Sequence, residues 1–231
     1  MESDICKLFL VKINDTFDSE LYDALSCFVT PNKEQELDNT KSDIVKKLRL
    51  YAEILTRIAI CQDLNVENKD IEFERTCYGK PYLLNDQDYH FSVSHTRNMI
   101  AVAVSNKSVG VDVEKVREVD LRIAKRFYTP QERNHLASSL DVKYERFFEI
   151  WTKKEAYIKY IGKESSPLNS LNVMDKELSE HFHTLRCGEY IASVFYEEKN
   201  AVPTTILMPE RGLVELARDL ISFTNIPPNT H

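Results

Sequence analysis

The sequence predicts an α+β fold, because strand-like segments and long amphipathic helices are both present and do not alternate as strict strand–helix–strand units. With 231 residues, 42% of them hydrophobic, the chain can bury the core of one large domain or two small ones. The sequence contains no visible repeat and no low-complexity tract. We therefore expect a globular protein that mixes both kinds of secondary structure.

The first half combines one long helix with several short strands. Residues 5–13 form an apolar run typical of a strand, and residues 42–64 have the spacing of a long helix with Ser42 as its N-cap. The side chains expected to face the core on that helix are Ile44, Leu48, Tyr51, Leu55 and Ile58. Further strands are predicted at 71–76, 90–95, 100–105 and 109–116. A brief turn separates the last two, which predicts an antiparallel pair.

The second half contains two helices, then strands and a closing helix. Residues 129–132, TPQE, have the pattern of a capping box with Pro130 at the first helical position. A long helix is predicted at 144–162, where Gly162 would end it. Strands at 188–197 and 204–209 and an amphipathic helix at 210–223 complete the order.

Charge and cysteine content exclude several classes of protein. Thirty basic and thirty-seven acidic residues give a net charge of -7, which argues against binding nucleic acid or an anionic membrane over a broad surface. Five cysteines without a CxxC pair predict reduced thiols rather than disulfides or structural zinc. The chain lacks both a secretory signal pattern and an apolar run of the roughly 18 residues that a membrane span needs. We expect a cytoplasmic protein without nucleic acid or membrane partners.

The segment VGVDVEKV at 109–116 carries two carboxylates on one face of a predicted strand. Asp112 and Glu114 would point to one side, while Val111 and Val113 would face the core. Two nearby carboxylates repel each other unless they are solvated, protonated or neutralised by a cation. Ligands that are all oxygen suit Mg²⁺, which is typically bound by one or two carboxylates together with phosphate oxygens. By itself, the same pair is also typical of the solvated face of an amphipathic strand.

A second pair of charged residues lies on the helix predicted at 144–162. Glu155 and Lys159 are four residues apart, so they lie side by side on one helix face. Exposed pairs at this spacing are common and contribute only a few tenths of a kcal/mol. Next to the carboxylates of the strand, this pair would add a third metal ligand or a base, together with a cation for a phosphate oxygen.

The chain has five glycines and no glycine-rich phosphate loop, so a bound phosphate would need side chains. Lys80, Ser94 and His95 are predicted to lie in short loops at strand ends. An ammonium, a hydroxyl and an imidazole can hold a phosphate by charge and hydrogen bonds. Each of the three also has an ordinary structural explanation as a turn, strand-end or surface residue.

Four motifs follow one another along the chain. They are GKP at 79–81, FSVSHT at 91–96, GVDVE at 110–114 and WTKKEAYIK at 151–159. In this order the motifs resemble the surfactin-synthetase-activating type of 4'-phosphopantetheinyl transferase. The resemblance covers residues 78–173 closely and 40–77 more loosely. The family often has a second glycine where this chain has Glu164, which predicts a less flexible loop on the carrier-facing side.

The resemblance implies an enzyme that moves the phosphopantetheine arm of coenzyme A to a serine hydroxyl of an apo acyl or peptidyl carrier protein and releases adenosine 3',5'-bisphosphate. It also implies two pseudo-twofold-related α+β halves, at 1–106 and 107–231, with the active site between them. A chain with this internal symmetry is expected to act as a monomer. Two other classes stay open, namely a Mg²⁺-dependent phosphohydrolase or nucleotide-binding enzyme, and a non-catalytic module that binds carrier proteins.

The same resemblance implies roles for individual residues. The Mg²⁺ ligands, with Mn²⁺ as an alternative ion, would be Asp112, Glu114 and Glu155. Lys159 would hold a phosphate oxygen, and either Glu155 or a metal-bound water would take the serine proton, with Glu155 preferred. The implied contacts to the nucleotide are Lys80, Pro81, Ser94, His95, Arg49 and Lys46. The last two lie in the long basic helix, from which the family holds the 3'-phosphate, and Arg49 is our first choice.

Carrier proteins are acidic, so an acidic enzyme needs a local basic surface to bind one. Residues 115–126 contain five basic and two acidic side chains. This contrast with the rest of the chain predicts electrostatic complementarity with a helix of the carrier. Arg122 and Lys125 would supply charge, and Leu121, Phe127 and Tyr128 would supply apolar anchors, although Phe127 is at least as well explained as part of the enzyme's own core.

Overall fold

The computed structural model describes residues 6–138, 141–162 and 167–224, without the side chains of 220–224. All four motifs lie within these ranges. Two expectations fall outside them, namely the start of the first strand at Ile5 and the effect of Glu164 on the loop that follows the second long helix.

The described residues form nine strands and eight α-helices. The strands are β1 (Cys6–Lys12), β2 (Phe73–Arg75), β3 (Pro81–Leu83), β4 (His90–Thr96), β5 (Met99–Ser105), β6 (Val109–Lys115), β7 (Phe182–Cys187), β8 (Tyr190–Tyr196) and β9 (Thr204–Pro209). The helices are α1 (Ser19–Ser26), α2 (Pro31–Asp38), α3 (Asp43–Leu64), α4 (Ala124–Phe127), α5 (Pro130–Ala137), α6 (Lys143–Ile161), α7 (Lys176–Ser179) and α8 (Glu210–Thr224).

The predicted helix ends are largely confirmed. Ser42 is the N-cap residue of α3 by its extended backbone, although its side chain makes no capping hydrogen bond. Thr129 and Glu132 form the predicted capping box at the start of α5. Gly162 ends α6 with a φ of 68°, a left-handed conformation that glycine adopts without strain.

The strands form two main sheets and a small hairpin. The first sheet has the order β4-β5-β1-β9, in which β1 is antiparallel to β5 and parallel to β9. The second has the order β6-β8-β7 with antiparallel neighbours, and β2 pairs with β3 in a separate hairpin. Small, mostly antiparallel sheets packed with helices confirm the predicted α+β class.

The two main sheets repeat the same chain path. In the first, β1 is followed by the long helix α3 and then by the antiparallel pair β4 and β5. In the second, β6 is followed by α6 and then by the antiparallel pair β7 and β8. The order β4-β5-β1 therefore matches β7-β8-β6, and the implied arrangement of two pseudo-twofold-related halves is confirmed.

The two sheets pack against each other, and a long helix covers the outer face of each. Alternate side chains of β1, β5, β6 and β8 form a shared inner core, which includes Leu8, Ala101, Val111 and Val194. Helix α3 buries its predicted stripe on the outer face of the first sheet, with Ile44 only partly buried at its edge. Helix α6 packs on β6 and β8 of the second sheet. The valines of the VGVDVEKV segment therefore face the core as predicted.

The predicted antiparallel pair of 100–105 with 109–116 is wrong. Strand β5 has β4 on one edge and β1 on the other, so it has no edge left for β6. Strand β6 belongs to the second sheet instead and lies beside β4. The loop positions predicted for Ser94 and His95 are also wrong, because both residues lie inside β4.

The predicted boundary between residues 106 and 107 falls in the turn between β5 and β6. The chain returns to the first half near its end, because β9 pairs with β1 and α8 packs against α3. An ion pair of 2.7 Å joins Lys47 Nζ on α3 to Glu210 Oε1 at the start of α8 and so holds α8 against the first half. The division of the chain at this boundary stays a prediction.

Strand β6 approaches helix α6 so closely that a side chain does not fit at Gly110. A Cβ atom there would lie 2.0 Å from the backbone oxygen of Ala156 and 2.5 Å from the backbone nitrogen of Tyr160. The helix backbone cannot move aside as the end of a flexible side chain can. The glycine of the GVDVE motif therefore sets the distance between the strand that carries Asp112 and the helix that carries Glu155.

We expect Gly110→Ala to lower the free energy of unfolding by about 3 kcal/mol or more, because the new methyl group overlaps the backbone of α6. The matched control is Gly212→Ala in α8, where the nearest atom to a new Cβ lies at 3.6 Å and alanine favours the helix. Urea unfolding followed by circular dichroism measures both variants. A loss below about 1 kcal/mol for Gly110→Ala would contradict the steric role of the glycine.

Candidate active site

Strand β6 and helix α6 bring the predicted carboxylates and Lys159 together. The Lys159 ammonium lies 2.8 Å from Asp112 Oδ1, and the Ser94 hydroxyl donates to the same oxygen at 2.8 Å. Asp112 is 6% exposed, and its other oxygen, Oδ2, is buried without a hydrogen-bond partner among the described residues. An unpartnered buried carboxylate oxygen is costly, so it marks a position where a bound ligand would be stabilised.

Glu114 and Glu155 complete the group of carboxylates. Glu114 Oε2 accepts hydrogen bonds from the Thr96 hydroxyl at 3.2 Å and from Arg117 Nη1 at 3.1 Å. Burial raises the pKa of Glu155, the charges of Asp112 and Glu114 raise it further, and the neighbouring ammonium opposes the shift. The three carboxylates therefore lie close enough to interact electrostatically, although they come from two separate elements.

The chemistry of this group fits a hard divalent cation. All three candidate ligands are carboxylates, which Mg²⁺ prefers, and the unpartnered Oδ2 of Asp112 is suited to ligate it. Within the part of the chain that the structure describes, no three or more His, Cys, Asp or Glu side chains are already gathered closely enough to hold a metal ion. Lys159 instead pairs with Asp112, and Arg117 pairs with Glu114. To hold a cation together, the three carboxylates would have to move closer to one another and away from these partners.

A cleft of about 850 Å³ borders β4 on the face opposite to Ser94 and is lined by residues of α2, α3 and the β2–β3 hairpin. His95 lies on its wall together with Arg49, Lys33 and Arg75. Burial lowers the pKa of His95, and the nearby positive charges of Arg49, Lys159 and Lys33 lower it further. Four glutamates also line the cleft, namely Glu36, Glu53, Glu72 and Glu74. The basic groups around His95 are suited to bind a phosphate.

Sequence reasoning did not identify Lys33 and Arg75 as cleft residues. Lys33 lies in α2, whose start at Thr30 and Pro31 repeats the Thr-Pro signal that correctly located α5. The same signal would therefore have located α2, but it does not reveal which surface of the protein α2 faces. Arg75 lies in β2, a strand that was predicted without a functional role.

The two candidates on the first long helix occupy different positions. Arg49 lines the cleft and donates a hydrogen bond to the Thr40 hydroxyl at 3.2 Å, whereas Lys46 is not among the lining residues. Lys47, the next residue of the same basic stretch, is buried in the ion pair with Glu210 and has a structural role. Of the two residues proposed for the 3'-phosphate, Arg49 has the supporting geometry.

Lys80 connects the β2–β3 hairpin to the second half of the protein. Its ammonium donates to the backbone oxygens of Tyr160 at 3.1 Å and Val109 at 3.3 Å, and burial lowers the pKa of Lys80 to about 8. Lys80 lines a separate cavity of about 510 Å³, whereas Pro81 lines both this cavity and the main cleft. The implied contact of the Lys80 ammonium with the nucleotide therefore has no support in this geometry.

The same is true of the nucleotide contact implied for Ser94. Its hydroxyl lies on the face of β4 that points toward β6, where it donates to Asp112 and accepts from the Val113 N–H at 3.4 Å. His95, the next residue of the strand, points to the opposite face and lines the cleft. Adjacent residues of one motif thus serve the carboxylates and the cleft separately.

A buried ion pair next to Glu155 was not expected from the sequence. Lys154 Nζ lies 2.8 Å from Glu132 Oε2, and their side chains are 1% and 0% exposed. Lys154 also donates to two backbone oxygens within 168–171, and Glu132 accepts from the Val173 N–H at 3.0 Å. The pair ties α5 and the segment after α6 to the helical turn that carries Glu155. The capping box revealed only the local role of Glu132.

Comparisons with known proteins agree with this geometry. A family model described as "4'-phosphopantetheinyl transferase superfamily" matches residues 108–207, and one described as "4'-phosphopantetheinyl transferase, N-terminal" matches residues 16–107. The chain is 33% identical over 206 residues to the 4'-phosphopantetheinyl transferase gsp of Aneurinibacillus migulanus, covering 88% of this chain and 81% of that protein. It is 29% identical over 169 residues to the 4'-phosphopantetheinyl transferase Sfp of Bacillus subtilis strain 168, covering 72% and 75%.

We expect Lys154→Met to lower the free energy of unfolding by about 3 kcal/mol or more, because it leaves the Glu132 carboxylate buried without its cation. The matched control is Lys153→Met, which removes only a partly exposed pair with Glu149 and should change stability by about 0.5 kcal/mol or less. Urea unfolding at neutral pH compares the two variants. Equal stability of both variants would show that the buried pair has no special importance.

Proposed function

The chain belongs to the 4'-phosphopantetheinyl transferase superfamily, and on this basis we propose that it transfers the phosphopantetheine arm of coenzyme A to a serine hydroxyl of an apo acyl or peptidyl carrier protein. The new bond joins the serine oxygen to the phosphorus next to pantetheine, and the bond that breaks lies within the diphosphate. The serine proton goes to a base of the enzyme, and adenosine 3',5'-bisphosphate leaves. The unpartnered Oδ2 of Asp112, beside Glu155 and Lys159, is the observation that carries this proposal.

The three carboxylates are the proposed ligands of Mg²⁺, and Mn²⁺ would suit the same oxygens. When bound, the cation supplies positive charge next to the diphosphate. Lys159 is proposed to hold a phosphate oxygen as negative charge develops during the transfer. Glu155 is proposed to take the serine proton as the general base.

The main cleft is the proposed site of the nucleotide end of coenzyme A. Arg49 and His95 are the proposed ligands of the 3'-phosphate, and Lys33 adds a further positive charge on the same wall. Because its pKa is lowered, His95 is largely neutral in the free protein at neutral pH. A bound phosphate would offset the neighbouring positive charges and favour protonation of the imidazole. Pro81 is proposed to contact the nucleotide from the hairpin side of the cleft.

Residues 115–126 are the proposed contact surface for the carrier protein. Arg122 and Lys125 are exposed in this segment, where a 3-10 turn leads into α4. Arg122 pairs with Asp120 at 2.6 Å, but exposed pairs of this kind are weak and exchange readily for another carboxylate. This favours an electrostatic contact with an acidic helix of the carrier.

For the apolar anchor on this surface we propose Ile123 in place of Leu121. Leu121 packs against the core between α4 and α6, so it is a poor anchor for a partner. Ile123 is 43% exposed and takes that role in the proposal. Phe127 packs edge-to-face on Trp151 with ring centroids 5.6 Å apart, in line with its alternative explanation as a core residue. Tyr128 is fully buried and therefore is not exposed to a partner.

We further propose a monomeric cytoplasmic enzyme whose halves divide at 106 and 107 and which has no nucleic acid partner. All five cysteines are free thiols in the structure, and the net charge is -7. Both properties support this proposal. Among the helices that the structure describes, none combines the length and the apolar composition that crossing a membrane requires.

Incubation of the protein with an apo carrier protein, coenzyme A and Mg²⁺ should give a phosphopantetheine adduct on the carrier, detected by mass spectrometry. Asp112→Ala should reduce the rate of transfer by about 100-fold or more, because it removes a proposed metal ligand. Hydrolysed coenzyme A with an unmodified carrier would instead indicate a phosphohydrolase. Absence of any reaction would indicate a carrier-binding module.

Reversal of two exposed charges tests the carrier surface. The double variant Arg122→Glu and Lys125→Glu should weaken carrier binding about tenfold or more, and should leave the affinity for coenzyme A unchanged. The matched control, Lys69→Glu with Arg211→Glu, makes the same change in net charge at exposed sites away from this segment. Calorimetry measures both affinities. An equal loss of carrier binding in both double variants would contradict the proposed surface.

A further inference from the structure

Strands β4 and β6 lie side by side at the junction of the two sheets and are joined by side chains. In the described residues, no backbone ladder connects them, because β4 belongs to the first sheet and β6 to the second. Ser92 Oγ accepts from the Val111 N–H at 3.0 Å, and Ser94 Oγ accepts from the Val113 N–H at 3.4 Å. Alternate hydroxyl side chains of β4 thus bond to alternate N–H groups of β6.

The same face of β4 also reaches the two carboxylates of β6. The Ser94 hydroxyl donates to Asp112 at 2.8 Å, and the Thr96 hydroxyl donates to Glu114 at 3.2 Å. Each carboxylate is two residues from the other along β6, and so are the two hydroxyls along β4. The match in spacing follows from two strands that run side by side in the same direction.

Each carboxylate holds its partners on a single oxygen. Asp112 Oδ1 accepts from both Ser94 and Lys159, which leaves Oδ2 buried and without a partner among the described residues. Glu114 Oε2 accepts from both Thr96 and Arg117. One hydroxyl and one cation on the same oxygen fix the rotation of a carboxylate and turn its second oxygen in a defined direction.

We propose that Ser94 and Thr96 are positioning residues, which orient Asp112 and Glu114 so that the second oxygen of each carboxylate faces the Mg²⁺ of the proposed function. The inference rests on that function, because orientation matters only if a cation binds there. It assigns two of the three hydroxyls of the FSVSHT motif, those of Ser94 and Thr96, to the carboxylates, while His95 between them serves the cleft. Removing a residue that hydrogen-bonds to a ligating carboxylate typically lowers metal affinity 10–100-fold.

Ser92 provides an internal control for this assignment. It has the same residue type, lies on the same face of β4, and is 5% exposed against 6% for Ser94. It accepts a backbone N–H of β6 as Ser94 does, but its partner is the N–H of Val111, the residue just before Asp112, rather than a carboxylate. Loss of Ser92 therefore affects the junction of the strands, whereas loss of Ser94 also affects the orientation of Asp112.

The test is a titration of the purified full-length protein with Mn²⁺, in which the free ion is followed by electron paramagnetic resonance. Ser94→Ala and Thr96→Val should each weaken Mn²⁺ binding about 10–100-fold. Ser92→Ala and the conservative Thr96→Ser should stay within about threefold of the unchanged protein. Circular dichroism confirms that each variant is folded, and Thr96→Val, which keeps the shape of the side chain, covers the case in which Ser94→Ala does not fold.

Three outcomes would overturn the inference, and they can be told apart. Unchanged Mn²⁺ affinity in both Ser94→Ala and Thr96→Val would show that the hydroxyls do not orient the ligands. An equal loss in Ser92→Ala would show that the effect comes from the junction of the strands. If Asp112→Asn does not reduce Mn²⁺ binding by the otherwise unchanged protein, the metal assignment itself is wrong, and the positioning role is lost with it.

Discussion

At Gly110, strand β6 and helix α6 come so close that any Cβ atom would overlap the helix backbone. This contact fixes the distance between the strand that carries Asp112 and Glu114 and the helix that carries Glu155 and Lys159. Because the helix is held by packing and by the buried Lys154–Glu132 pair, the backbone positions that carry these four groups are fixed relative to one another. The glycine of the motif is therefore as important to the site as the charged residues that follow it.

The arrangement of charge follows from this close packing. Burial raises the pKa of Glu155, and repulsion from the charges of Asp112 and Glu114 raises it further. In the free protein, Lys159 and Arg117 offset part of that repulsion from either side. The negative charge of the site is thus partly neutralised by the chain's own cations. On the opposite face of β4, the basic groups around His95 are suited to bind a phosphate.

Local patterns predicted local structure well. The core stripe of α3, the capping box at Thr129 and the end of α6 at Gly162 all depend on residues within one or two helical turns, so the sequence was sufficient to locate them. Pairing between strands was predicted less well. The turn between β5 and β6 looked like a hairpin, but the edges of β5 are used by β1 and β4, and β1 lies about a hundred residues earlier in the chain. Competition for a strand edge cannot be inferred from a turn alone.

The sequence by itself determined which chemical groups are present and in what order, because the four motifs state the residue types and their spacing along one strand or one helix. It therefore predicted the α+β class, the family and the set Asp112, Glu114, Glu155 and Lys159. Only the tertiary structure decided which groups face one another. The hydroxyl of Ser94 reaches Asp112, Lys80 reaches the backbone of the second half, and Lys33 reaches the cleft. The physical reason is that hydrogen bonds and ion pairs depend on distance in space, and packing of the two sheets sets that distance.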